Sequence, residues 1–187
     1  MSTAARAPGR PTGPRRVVTG PSASGAATFV SDGPVELLAA HLLPPGIEEV
    51  WACDGPPSRL TGTAASSPQR YFPPPGGFRV RVISFRPDGQ TKLTPAQAAE
   101  VGELLVGLHG DAEWDAASPG MHATRTIDVG LILHGSVELE LDSGEVTTLA
   151  VGDWYIQNGT RHRWRNTSGS DCRVAIFMVG AQAAPDR

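Results

Sequence analysis

His122, Thr124, Thr126 and Asp128 follow one another at every second position. On a single extended strand their side chains share one face, because successive residues point to opposite sides of the pleat. An imidazole, two hydroxyls and a carboxyl then enter the same space. A second cluster alternates more visibly: Arg161, Arg163 and Arg165 take one parity, and His162, Trp164 and Asn166 the other. Guanidinium groups stay in water, so the arginines mark the outer face of that strand and His162 with Trp164 the inner one. Two histidines from different strands therefore converge on one interior. Neutral imidazole and carboxylate are common ligands of iron, zinc, nickel and related ions, and two histidines with one carboxylate leave coordination positions open. The alternative is a pair of hydrogen-bonded interior histidines, and the spacing is compatible with both.

The elements that position these residues are short. From residue 122 to 179 the chain reads as strand after strand, over 126–133, 137–141, 145–149, 154–157, 162–165 and 173–179. The connections contain His134-Gly135-Ser136, Asp142-Ser143-Gly144, Gly152-Asp153, Asn158-Gly159 and Ser168-Gly169-Ser170, each a turn chemistry. Strands at this spacing predict an antiparallel sandwich or barrel. Val137, Leu139 and Leu141 point one way and Glu138 and Glu140 the other, so one face of that hairpin is wet. Upstream, Phe78, Val80 and Val82 alternate with Arg79 and Arg81, the pattern of a half-buried strand over 78–85. Val17-Val18, Thr28-Phe29-Val30 and the run 35–43 read as an entry strand and a lead-in segment wrapping the core. Pro73-Pro74-Pro75-Gly76-Gly77 marks a stiff connection or cavity rim. One helix is predicted over 96–109, opened by a capping box of Thr94 and Gln97 with Pro95 at its first position.

Composition agrees. Of 187 residues, 22 are glycine and 17 proline while 19% are charged, which favours turns and short strands and excludes a helical bundle. The net charge is -3, and Arg6, Arg10, Arg15 and Arg16 stand without any acid in the first 25 residues, so the body of the chain is more acidic still. That balance offers no broad basic surface to a phosphate backbone and excludes nucleic acid as a partner. No run approaches the roughly twenty apolar residues that span a bilayer, and no apolar stretch follows the N-terminal arginines. The expectation is a cytoplasmic chain with no membrane partner. Cys53 and Cys172 lack CxxC spacing and read as reduced, packed thiols. In domain terms, 1–14 is expected to be a disordered leader and 15–115 to pack N-terminal strands, loop and helix on the barrel. The barrel core itself is expected over 116–182, with 183–187 as a tail.

The order His122, an acid six positions on, a hairpin, Gly152-Asp153, then Gly159, His162 and Asn166 resembles the two signature motifs of the cupins. The second motif, GxxxxxPxGxxHxxxN, is matched at Gly159, His162 and Asn166, with Gly152 one residue too close and Gln157 in the place of proline. The first, GxxxxxHxHxxxxExxxxxxG, is matched in part. His122 takes its first histidine, Thr124 replaces the second, Asp128 replaces the glutamate at a shorter spacing, and Gly135 takes the final glycine. More narrowly, MHATRTIDVGLILHG and GDWYIQNGTRHRWRN are similar to small bacterial single-domain cupins.

The resemblance implies an all-β fold, a cupin (RmlC-like) β-barrel or jelly roll with an N-terminal strand extension and one or two short helices. It implies His122, Asp128 and His162 as both catalytic residues and metal ligands. Gln157 would add an amide oxygen or orient a water, and Thr124, Thr126, Gln157, Trp164 and Arg81 would bind substrate. The cofactor is a divalent metal (iron, zinc, manganese or nickel) or none, in which case a histidine or Asp128 moves a proton. The expected function is an enzyme acting on a small oxygenated organic substrate, polyketide-like or aromatic, as a lyase, dehydratase, isomerase, cyclase or oxygenase. The alternative is a module that binds or senses a small molecule without turnover. Pairing through exposed strand edges implies a homodimer, and His134, at a hairpin, is read as a turn residue.

Overall fold

The computed structural model describes residues 14–38, 47–56, 71–90, 94–97, 99, 112–115 and 117–182. In chain order the strands are β1 (Arg15–Pro21), β2 (Ala27–Pro34), β3 (Glu36–Leu38), β4 (Ile47–Cys53), β5 (Phe78–Phe85), β6 (Ala112–Trp114) and β7 (His122–Thr124). They continue with β8 (Thr126–His134), β9 (Ser136–Leu141), β10 (Val146–Ala150), β11 (Trp154–Asn158), β12 (His162–Arg165) and β13 (Cys172–Gly180). The turn glycines at 135, 144, 152 and 159 all have positive φ, which is why the alternating segments stop where they do.

The strands form two antiparallel sheets. A six-stranded sheet runs β11-β8-β13-β5-β4-β3, and a five-stranded sheet runs β10-β9-β12-β7-β6. Their inner faces meet across a core of Phe72, Ile132, Val137, Tyr155, Cys172, Val174, Ile176 and Met178. Trp164 of β12 joins them, its ring 4.8 Å from Tyr155 on β11 and 5.7 Å from Phe85 on β5. The expected all-β fold is therefore observed, as two facing antiparallel sheets. The barrel extends ahead of residue 116, however. Strand β5 pairs with β13 along its whole length and β4 with β5, so residues expected to pack on the barrel are instead part of its wall. Strands β1 and β2 pair only with each other, as a separate two-stranded ribbon.

The burial of β5 is the reverse of its reading as a strand with a wet arginine face. Arg79 and Arg81 are fully buried, whereas Phe78, Val80 and Val82 lie on the outer side and are only partly covered. Neutralising partners on β4 and the turn after it make this arrangement stable. Arg81 pairs with Glu49 at 2.7 Å, and Arg79 donates to the Asp54 carboxylate and to the Cys53 carbonyl. A buried charge is tolerated only when so paired.

The capping box is formed: the Gln97 amide N–H donates to Thr94 Oγ1 at 3.3 Å and the Thr94 amide N–H to Gln97 Oε1 at 3.0 Å. Pro95–Gln97 and Ala99 are helical, and the remainder of the predicted helix lies outside the described residues, as do 1–13 and 183–187. Among the described residues no helix is long and apolar enough to cross a membrane. Cys53 and Cys172 are both free thiols, and Cys172 is buried in the core.

Candidate functional site

The interior between the sheets is polar at one end. On the five-stranded sheet, His122 and His162 are directly opposite each other across the β7–β12 pair, with ring centroids 4.5 Å apart. On the facing sheet, Asp128 of β8 is paired with Gln157 of β11. The Gln157 amide nitrogen lies 3.0 Å from Nδ1 of His162. The parity argument therefore holds for the second cluster: His162 is buried, while Arg163 and Arg165 turn outward to Glu140.

Hydrogen bonds to backbone carbonyls set the histidine tautomers. Nδ1 of His122 lies 2.9 Å from the Gly120 carbonyl and Nδ1 of His162 lies 2.9 Å from the Thr160 carbonyl. A carbonyl oxygen only accepts, so each Nδ1 carries the proton and each Nε2 the lone pair. Gln157 then cannot donate to His162. Its Nε2 instead donates to the Thr160 carbonyl and to Thr160 Oγ1, which holds the loop that orients the imidazole. Burial pulls His162 down to about 4, with the nearby His122 contributing, and lowers His122 as well. Both rings are neutral at pH 7.

Asp128 is the other unusual group. It is buried and its Oδ1 has no hydrogen-bond partner. Burial pushes its carboxyl up to about 6, a hydrogen bond with Thr126 opposing. Thr124 and Thr126 are buried beside it, their hydroxyls 2.8 Å apart. Both threonines also line a cavity of about 560 Å³ that is walled further by Asn158, Thr160 and Arg161. His122, Asp128, Gln157, His162 and Trp164 are not among the residues that line it.

Residues 122–128 do not form one regular strand. The chain leaves β7 at Arg125 and enters β8, which belongs to the opposite sheet. His122 and Asp128 consequently sit on facing walls, and the expectation that Asp128 joins His122 and His162 as a metal ligand is corrected. Among the described residues no three His, Cys, Asp or Glu side chains are placed to hold a metal ion. Catalytic centres with open positions take three protein ligands, and here the imidazole pair supplies two. Thr124, in the place of the motif's second histidine, is hydrogen-bonded to Thr126. The donor set does not fit a centre of two histidines and one carboxylate.

Arg81 lies farther along the inner face, on β5. Its Nε donates to Glu49 Oε2 at 2.7 Å, its guanidinium stands 4.1 Å above the Tyr71 ring, and its Nη1 has no hydrogen-bond partner. Burial raises Glu49 and Arg81 opposes that rise. Trp164 borders the site as an apolar wall, its ring edge-on to His162 at 6.0 Å. Three residues around the site had no signal of their own in the sequence. Glu49 is indistinguishable from its neighbour Glu48, Tyr71 follows a proline-containing loop, and Thr160 is a turn residue. Tyr155 shared parity with Gln157, which pointed it inward. Its ring is paired across the ladder with Gly130, where a Cβ would meet ring atoms at 2.1 to 2.5 Å. Only glycine admits the aromatic ring there.

The last motif residue, Asn166, has a structural role. Its amide donates to the Phe85 and Ser170 carbonyls and accepts from the Ser168 N–H and hydroxyl, closing the turn into β13. Gly159 is held at φ +63°, and a Cβ would lie 2.8 Å from the Thr124 carbonyl, so the motif glycine lets the His162 loop dock on β7.

No family model matches the chain. A phomopsin biosynthesis cluster protein of Diaporthe leptostromiformis is 31% identical over 105 residues, covering 56% of this chain and 41% of that protein. The chain thus spans about two fifths of that relative's length. A cupin-domain-containing oxidoreductase of Neurospora crassa is 29% identical over 161 residues, 83% of this chain and 67% of that one. Among solved structures, the Cupin_2 domain of an XRE family transcriptional regulator from Enterobacter cloacae covers 56% of this chain and 83% of its own, at 17% identity and a TM-score of 0.35. Gly159, His162 and Asn166 each stand where the second motif has them, on a barrel of two antiparallel sheets, and a cupin-domain protein aligns along most of the chain: this protein is similar in sequence to cupin-domain proteins.

Proposed function

We propose that this protein is a cupin enzyme of secondary-metabolite biosynthesis that moves a proton on a small oxygenated organic substrate, by isomerisation, dehydration or cyclisation. One observation carries the reading: a buried carboxyl, Asp128, in the polar end of the barrel interior, with an unpartnered oxygen and a pKa of about 6. A base poised near the working pH is the requirement of proton-transfer catalysis. The relatives' names, a biosynthesis cluster protein and a cupin-domain oxidoreductase, support the metabolic setting.

In this reading the ionised Asp128 takes a proton from the carbon next to a substrate carbonyl, and the electron pair of that bond moves into an enolate. Return of the proton at another atom completes an isomerisation, and departure of a hydroxyl as water completes a dehydration. Neutral His122 and His162 accept hydrogen bonds from substrate hydroxyls at Nε2, and Trp164 excludes water. Arg81 Nη1 is the donor for a developing oxyanion.

The test is turnover of candidate compounds from neighbouring biosynthetic steps, run in deuterium oxide with mass spectrometry of the product. Wild type incorporates deuterium at carbon, and Asp128→Asn loses about 10²–10⁴-fold in rate. Full activity in a folded Asp128→Asn variant overturns the assignment. Stoichiometric metal in the purified protein, lost in both His122→Ala and His162→Ala, would replace it with a metal-dependent reaction.

A further inference from the structure

The cavity of about 560 Å³ lies where the chain crosses from β7 to β8, and its volume falls within the range of small-molecule sites. Both sheets wall it: Glu113 and Ala123 belong to β6 and β7, Ile127 and Asn158 to β8 and β11. Asp128, His122, His162, Trp164 and Arg81 are all absent from its lining, so it is a space apart from the proposed reaction site. Local contacts hold the walls in place. The Ala181 N–H donates to the Arg125 carbonyl at 2.9 Å, which ties the end of β13 to the crossing. Gly159, at φ +63°, brings the loop after β11 against the Thr124 carbonyl, and Gln157 donates to the Thr160 carbonyl of the same loop at 2.9 Å.

The register explains how charge is arranged around this space. Leu141 and His122 both pair with His162, and Glu113 pairs with Ala123, so one position further a row runs Asp142, Arg161, Ala123, Glu113 across β9, β12, β7 and β6. Side chains of one row leave the sheet on the same side, and because His162 points inward this row points outward. Arg161 is held loosely, 4.0 Å from Glu113 and 3.6 Å from Asp115. Two charges stay open: Arg125, exposed two residues beyond Ala123, and Asp142, at the other end of the row, enter no ion pair among the described residues. Strands β7 and β9 are two spacings apart, about 10 Å, which the two side chains and a molecule with its charges a few bonds apart together span. A carboxylate alone would gain at Arg125 and lose at Asp142, and an ammonium alone the reverse. A zwitterion satisfies both.

We propose that this cavity binds a small zwitterion of the amino-acid type, with its carboxylate on Arg125, its ammonium on Asp142 and an apolar side chain on Ile127, which is 43% exposed. The source of that chemistry is a free amino acid or a short peptide with both termini free. The site does not depend on the reaction proposed for the barrel interior.

The experiment is isothermal titration calorimetry of the full chain with leucine and leucyl-leucine. Isocaproate, which keeps only the carboxylate of leucine, and isoamylamine, which keeps only the ammonium, are the comparison probes. At least one zwitterion binds, and each single-charge probe binds about tenfold more weakly or worse. Tighter binding of leucine assigns a free amino acid, and tighter binding of leucyl-leucine a peptide. Arg125→Gln and Asp142→Asn each weaken the zwitterion about tenfold with an unchanged circular dichroism spectrum, and in Arg125→Gln leucine binds no better than isoamylamine. Asp128→Asn, inside the barrel, leaves the zwitterion affinity as in wild type. No binding of either zwitterion, or isocaproate binding as well as leucine, overturns the proposal. So does loss of binding in a folded Asp128→Asn variant, which would move the ligand into the interior. Should either surface variant fail to fold, the other, with the wild-type contrast between leucine and the single-charge probes, decides.

Discussion

Asp128 and His162 depend on pH in opposite senses. A carboxyl whose folded pKa, about 6, stands above its unfolded value makes the native state the tighter proton binder, so its contribution to stability falls as pH rises from about 4 to 6. His162, held near 4 in the fold against an ordinary 6.5, makes the native state the weaker binder, and stability falls as pH drops through that window. The two partly cancel in wild type. Asp128→Asn should therefore raise the unfolding free energy by about 2 kcal/mol above pH 7 and leave it unchanged near pH 4, measured by urea denaturation at both values. No gain at pH 7 would mean that the carboxyl is solvated or paired. The variant is thus expected to be more stable and inactive, the trade typical of a functional group held in a strained setting. The inward direction of both residues was legible, because alternation fixes parity along any strand. Their mutual placement was not, since the crossing at Arg125 from one sheet to the other leaves no mark on a pattern of period two.

At the scale of elements, β4 and β5 show how far a local pattern can mislead. Arginines alternating with apolar residues read as a wet face, and the prior is sound for a strand whose neighbours are unknown. Glu49 on β4 reverses it by supplying the counter-charge inside the barrel. Arg81→Met should destabilise the fold by about 3 kcal/mol at pH 8, because Glu49 is left buried and unpaired, and by less as the pH falls, because burial raises the Glu49 carboxyl and Arg81 no longer opposes that rise. Adding Glu49→Gln to Arg81→Met should recover most of the loss. A double variant no more stable than Arg81→Met alone would show that Arg81 acts through packing on Tyr71 instead. The turns were more legible than the pairings: Gly135, Gly144, Gly152 and Gly159 announce themselves by residue type, and each is found at positive φ.

For the molecule as a whole, stability is graded. Strands β5, β8 and β13 form the continuous middle of the larger sheet, and the β1–β2 ribbon pairs with no barrel strand. Two-stranded ribbons are marginal in water, so amide exchange should be fastest in Arg15–Pro34 and slowest in β8 and β13. Equal protection in the ribbon would require a partner that covers it, and Phe29, 72% exposed, would be the contact to probe. The sequence by itself determined the strand succession from 122 to 179, the turn positions, and the inward parity of His122, Thr124, Asp128 and His162, together with the motif residues that resemble the cupins. These follow from period-two alternation and turn chemistry, which are local. Tertiary structure alone decided which sheet each strand joins, that Asp128 faces the histidine pair from the opposite wall, that two arginines lie inside, and that a cavity forms where the chain crosses between the sheets. Those properties arise from contacts between residues far apart in the chain, where burial and counter-charge outweigh what any single segment encodes.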